Sequence, residues 1–277
     1  MKHIAFLSLW IFILFQTSCT TSEPSHEPKK IILKSFSDKV RDVEYDVFIP
    51  DNFQNKFLLV LPGWNFSKSS WIENSSLRSL ASRFGYALIM PEMKKTLYES
   101  SYYPETKMKW NALPGLVFLK DHFFPHLQSR GILQKGQKNF LLGLSTGGRG
   151  VALIALDNPG LFTAGASFSG DFSQDLMPKD RLMQLVYGPY ESFSERWKGK
   201  DNPAHRALEW TMPLYLSHGL LDRIVPESQS SIFYEALKKA GKENLVIYKA
   251  VSGKGHDYAF WNAELTPAFE FFEKFNP

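Results

Sequence analysis

Cysteine is almost missing from this chain: 277 residues hold one, Cys19, and a single thiol excludes an intrachain disulfide framework. Basic tracts are missing too. The 32 Lys and Arg and the 28 Asp and Glu are spread along the sequence for a formal net charge of +4, which reads as a solvated surface and not as a nucleic-acid partner's footprint. After the first 18 residues there is no long hydrophobic run, so nothing further along is expected to span a membrane. Internal repeats and low-complexity tracts are absent from the folded part. What is present is 44% hydrophobic and 15% aromatic residues, enough for one large domain with a substantial core.

The N-terminus differs from the rest. MKHIAFLSLWIFILFQTS carries Lys2 as its only formal charge, then an apolar stretch from Ile4 to Phe15, then small polar residues. That is the pattern of a signal peptide over residues 1–18. Cys19 follows at once and resembles the lipidated cysteine of a bacterial lipobox, although Gln16 stands where that pattern usually has Leu; an incidental cysteine in an ordinary cleaved signal or an uncleaved anchor is the alternative. Residues 19–36 contain TSEPSHEPKK (21–30), a Pro/Ser/Glu stretch that cannot bury a core and reads as a tether. The expectation is an exported protein held in the bacterial envelope by a lipid on Cys19, with its folded domain over 37–277.

From Val43 onward short β-like runs alternate with helical patterns. VEYDVFI (43–49), FLLVL (57–61), YALIM (86–90), NFLLG (139–143), AGASF (164–168), PLYLS (213–217) and LVIYK (245–249) are the expected strands. Apolar residues near helical spacing fall at 77–84, 112–127, 148–157 and 228–240. This order predicts an α/β fold: a mostly parallel central sheet with helices on both faces. Residues 171–210 break the alternation. The connection is long, and Tyr187, Tyr190, Phe193, Trp197 and Trp210 argue for an ordered small cap insertion over the strand ends.

The stretch LLGLSTGGRG sets Ser145 between Gly143 and Gly147, after an apolar strand and before a helical pattern. As a five-residue match it is weak, and a plain glycine-rich turn is the alternative. The context is that of a nucleophile elbow, which needs neighbours without Cβ atoms. A serine hydroxyl needs a base oriented by a carboxylate, in the chain order Ser, Asp or Glu, His. Of the seven histidines, His205, His218 and His256 follow Ser145. His256 lies in the glycine-rich SGKGHDY after the last strand, and Asp222 in SHGLLDRIVP past the preceding one, so Ser145, Asp222 and His256 all fall at C-terminal strand ends. Asp257 competes for the role of acid, but its place beside the base in sequence makes Nδ1 hard to reach. The oxyanion donors are expected to be the backbone N–H groups of Thr146 and Trp64, the latter from FLLVLPGWNFS; a tight turn with Trp64 packed on the core is the other reading. Arg149 is expected on a helix surface, with a place near the site as the other reading.

These residues carry a family resemblance. NFLLGLSTGGRGVALIALDNPGLFTAGASFSGDFS (139–173) resembles the nucleophile region of esterase D-like esterases, a group with S-formylglutathione hydrolases, feruloyl esterases and mycolyltransferases. The similarity extends to YDVFIPDNF, LVLPGW, LASRFGYALIMPE and MPLYLSHGLLDRIVP, and LSHGLLDRIVPESQSSIFYEALKKAG also resembles dienelactone hydrolases and the catalytic domain of prolyl oligopeptidases. The resemblance implies an α/β-hydrolase fold, an acyl-enzyme at Ser145, and no metal or organic cofactor. Two departures stand out: Thr146 where Met is usual, and Pro62 where many relatives have His.

The expected activity is hydrolysis of a small-molecule or carbohydrate-linked carboxylic ester. A serine peptidase of prolyl oligopeptidase type is the second reading, and a catalytically silent surface binding protein on the same fold the third.

Overall fold

The continuous apolar runs are strands because both of their faces are buried. A computed structural model describes residues 34–275, and in it eight strands form one sheet: β1 (Phe36–Val40), β2 (Val43–Phe48), β3 (Lys56–Leu61), β4 (Tyr86–Pro91), β5 (Lys138–Leu144), β6 (Ala164–Phe168), β7 (Leu214–Gly219) and β8 (Val246–Val251). In β3, Phe57, Leu59 and Leu61 enter one core while Leu58 and Val60 enter the other. Such a strand has no solvated face and therefore no polar alternation. The expected signal peptide, Cys19 and nearly all of the tether lie outside the described residues.

Strand order is β1-β2-β4-β3-β5-β6-β7-β8. β1 runs antiparallel to β2 and β2 to β4, and every other neighbouring pair is parallel. Parallel neighbours require crossover connections, and these supply the two helical layers. Helix 115–129, helix Thr146–Asp157 and helix Ser228–Lys239 contribute to one core; Leu77–Phe84 and Tyr258–Glu273 pack on the opposite face. Among the described residues no helix is long and apolar enough to cross a membrane.

Several elements depart from the sequence expectation. β1, FSDKV, alternates exposed and partly buried residues at the sheet edge and offers no apolar run to notice. The helix expected at 112–127 starts at Gly115, runs to Ser129, and contains a wide turn over Leu119–Phe123 just before Pro125, which brings no N–H to a regular ladder. The last helix, Tyr258–Glu273, is buried at Phe260, Trp261, Leu265, Ala268, Phe269, Phe271 and Phe272. Burial that wide erases the amphipathic period by which a helix is recognised.

The insertion is more regular than its composition suggests. It holds helices Arg181–Tyr187 and Tyr190–Lys198, the first capped by the Asp180 carboxylate accepting from Met183 N–H at 2.9 Å. Met183, Val186, Tyr187 and Trp197 bury themselves with Leu97, and Trp64, Tyr103, Met177 and Tyr190 pack around them. Trp64 and Leu97 lie in the segments that leave β3 and β4, so this cluster sits beyond the C-terminal strand ends. Trp210 is not part of it: its ring packs edge-on against Phe233 in the main core.

Arg149 is likewise corrected. Its position on the helix after the elbow suggests a surface residue, yet the side chain is fully buried. The guanidinium pairs with Asp171 at 3.0 Å and donates to Gln174 Oε1, to Tyr187 Oη and to the carbonyls of Leu97 and Asp201. A buried cation needs every donor met, and the insertion supplies most of the acceptors.

Candidate active site

At the end of β5 the chain turns into helix Thr146–Asp157 through one residue, Ser145, whose φ is 53° and ψ −125°. A side chain in this region strains the backbone by about 1–3 kcal/mol. The surroundings enforce it: Ser145 N–H donates to the Phe168 carbonyl at 2.8 Å, and its own carbonyl accepts from Arg149 N–H at 3.1 Å. Gly143 and Gly147 are required by contact. A Cβ on Gly143 would stand 2.9 Å from Gly148 N and nearer still to the Gly147 carbonyl, and one on Gly147 would meet the carbonyls of Leu61 and Pro62.

The elbow lifts Ser145 Oγ to 3.0 Å from His256 Nε2. On the far side of the ring, His256 Nδ1 lies 2.6 Å from Asp222 Oδ2. A carboxylate only accepts, so Nδ1 carries the proton and Nε2 is free to accept from the serine hydroxyl. Asp222 Oδ1 accepts from the N–H groups of Ile224 and Val225, each at 2.9 Å, in a tight turn after β7. Its side chain is sealed from solvent. Burial pushes the Asp222 carboxyl up, but hydrogen bonds from His218 and His256 outweigh it and hold the group well below the usual carboxylate range. The three residues expected from the sequence are thus brought together from three separate loops.

Trp261 steadies the imidazole. Its ring meets His256 edge-on, centroids 5.0 Å apart, and its Nε1–H donates to Ser169 Oγ at 3.1 Å. Ser169 itself has φ 51° and follows β6. Neither residue was singled out in the sequence; the aromatic-rich helix carrying Trp261 gave no cue to one aromatic above its neighbours.

The expected oxyanion donors flank the nucleophile. Thr146 is the first residue of its helix, where an N–H has no intrahelical acceptor. The strand-end turn Pro62–Gly63–Trp64 passes against the elbow so closely that a Cβ on Gly63 would stand 3.3 Å from Ser145 Cβ. The turn is fixed by Phe66 N–H on the Gly63 carbonyl at 3.1 Å, Asn65 N–H on Lys94 at 2.9 Å, and Tyr98 Oη on the Pro62 carbonyl at 2.9 Å. Trp64 also packs its ring on the insertion cluster, as the tight-turn reading expects. Thr146 Oγ1 is buried without a hydrogen-bond partner.

The remaining candidates do not reach Ser145 as its base or His256 as its acid. Asp257 caps the last helix by accepting from Phe260 N–H at 2.9 Å. His205 meets Asp175 at 3.1 Å within the insertion. His218 lies on the acid, with Nε2 at 3.2 Å from Asp222 Oδ2. Its signal was the spacing of four residues to Asp222.

Comparison with known proteins agrees with the fold. Residues 122–275 match the prolyl oligopeptidase family. An acetyl esterase from Caldicellulosiruptor saccharolyticus is 24% identical over 243 residues, which cover 81% of this chain and 85% of that protein. The S-formylglutathione hydrolase from Agrobacterium tumefaciens superposes with a TM-score of 0.71 at 16% identity, over 87% of this chain and 94% of that one. The acylaminoacyl peptidase of Pyrococcus horikoshii gives a TM-score of 0.63 at 19% identity, over 87% of this chain but 41% of the peptidase. The fold is the α/β-hydrolase fold, and the esterase D-like likeness read from residues 139–173 is met among these neighbours.

Proposed function

The chain belongs to the prolyl oligopeptidase family, and from that membership together with the geometry around Ser145 we propose that it is a serine hydrolase cleaving carboxylic esters through an acyl-enzyme. The observation that carries this reading is the hydrogen-bonded line Ser145 Oγ, His256, Asp222. His256 Nε2 takes the hydroxyl proton as Oγ attacks the ester carbonyl. The oxyanion is held by the backbone N–H groups of Trp64 and Thr146, at the positive end of a helix dipole. Collapse breaks the bond to the alcohol, which leaves with the proton from His256. Water, deprotonated by the same ring, attacks the acyl-enzyme and releases the acid while Ser145 regains its proton.

Ester over peptide is supported by coverage: the acetyl esterase is matched over most of its length, the peptidase over less than half. The substrate is read as a small ester, free or carried on a carbohydrate, beneath the aromatic-rich insertion, where Trp64, Tyr103 and Tyr190 are partly buried. Peptide cleavage is the second reading, favoured by the family itself. Fluorophosphonate labelling of the parent and of Ser145→Ala tests the nucleophile; equal labelling removes it. Turnover of p-nitrophenyl acyl esters beside Pro-containing peptides separates the two substrate classes. Signal peptide 1–18, tether 19–36 and lipidation at Cys19 complete the proposal on sequence grounds, and metabolic labelling with palmitate, lost in Cys19→Ala, tests the anchor.

A further inference from the structure

The acid of the proposed triad carries two imidazoles, and we propose that the second, His218, is a positioning residue that sets the orientation and basicity of Asp222 and, through it, the working pH of His256. His218 ends β7 and is fully buried. Its Nε2 stands 2.9 Å from the Val225 carbonyl and 3.2 Å from Asp222 Oδ2. Both are acceptors, so Nε2 bears the proton, which it donates to the Val225 carbonyl with Asp222 Oδ2 close beside it. Nδ1 is then the acceptor of the neutral ring, and Ser230 Oγ on helix Ser228–Lys239 donates to it at 2.7 Å. Ser230 therefore selects the tautomer that points an N–H at the acid.

The consequence for Asp222 is that Oδ2 is divided. It accepts from His256 Nδ1 at 2.6 Å and has His218 Nε2 beside it at 3.2 Å, while Oδ1 is held by two backbone N–H groups. An N–H donated to a carboxylate stabilises its charge and draws it away from the other partner. The His256 imidazolium is stabilised less than by a carboxylate of its own. Removing His218 is therefore expected to return the full charge of the carboxylate to His256. Other charges lie around the pair. Asp257 is engaged as a helix cap, Lys249 pairs with Glu264 at 2.8 Å, Arg223 and Lys254 lie on the two site loops, and Glu227 precedes helix Ser228–Lys239. The ionic partners of Asp222 among the described residues are the two histidines.

The inference rests on the triad reading above, and its test separates the two. The pH dependence of kcat/KM for p-nitrophenyl acetate is measured for the parent, His218→Leu, His218→Gln, Ser230→Ala and Ser145→Ala. In His218→Leu the acid limb moves to higher pH by roughly half a unit, and kcat falls about ten-fold with KM little changed. His218→Gln keeps a donor at comparable reach and moves the limb back toward the parent. Ser230→Ala gives a smaller shift of the same sign. Acid limbs that superimpose across the parent and the His218 and Ser230 variants overturn the proposal and leave His218 a packing role. Should His218→Leu fail to fold, Ser230→Ala decides alone, because it removes one hydroxyl: an unmoved limb overturns the idea. Parent-like turnover by Ser145→Ala defeats the nucleophile instead, whatever the other variants do.

Discussion

Gly147 and Pro62 meet so closely that a methyl group on Gly147 would stand 2.7 Å from the Pro62 carbonyl oxygen. The crossing brings the expected oxyanion turn against the elbow, and neither backbone can give way without displacing Ser145. Gly147→Ala is expected to cost about 3 kcal/mol or more and to abolish ester turnover. Urea denaturation and a p-nitrophenyl ester assay check both; an alanine variant of parental stability contradicts the contact.

Ser145 holds its left-handed φ against the preference of any L side chain. Ser145→Gly relieves that strain. The variant is expected to be inactive yet more stable by about 1 kcal/mol, read as a raised Tm, and a lowered Tm counts against stored strain at the elbow.

The sheet and the site were legible for the same reason. Strands such as FLLVL and NFLLG are apolar because both faces are covered; Asp222 stands out because it follows such a strand, and His256 because it lies in a glycine-rich loop after the half-exposed edge strand β8. β1 escaped notice because one exposed edge leaves FSDKV without a run, and helix Tyr258–Glu273 because burial nearly all round removes its period. Arg149 was misplaced for a different reason: a charged side chain one turn after the elbow looks solvated, and only tertiary structure brings Asp171, Gln174 and Tyr187 to it. His218 was visible as a candidate base, but its actual partner depends on how the acid turn folds back.

Thr146 separates backbone from side chain. Its hydroxyl is buried and unpartnered, while its N–H is the proposed oxyanion donor. Thr146→Val removes the unpaired group without moving the N–H, so stability rises by about 1 kcal/mol and kcat stays within about two-fold of the parent. A collapse of kcat assigns the hydroxyl itself a part in the reaction.

The depressed Asp222 carboxyl has a sign in stability as well. A group whose pKa is lowered by folding contributes stability that is complete above its unfolded pKa, about 3.9, and lost as pH falls through the folded value. Below about pH 4 the parent therefore loses stability more steeply than Asp222→Asn. Guanidinium denaturation at a series of acid pH values checks this, and parallel curves for the two proteins speak against it.

Arg149→Met leaves Asp171 buried without its cation and is expected to cost about 3–5 kcal/mol. Adding Asp171→Leu removes the stranded charge and returns part of the loss. Thermal melts of the single and double variants decide; equal melting temperatures for the two mean that the ion pair does not couple these residues.

That guanidinium also has a bearing on how the protein can be remodelled. Asp171 and Gln174 lie at the entry of the insertion, Tyr187 midway and Asp201 at its exit, and all four meet one side chain on the helix that begins after Ser145. The insertion is therefore a graft with a fixed root. Residues 191–195, exposed or half-buried between the last two anchors, form the exchangeable part, open to redesign for a different ester while the root and the buried Trp197 stay as they are.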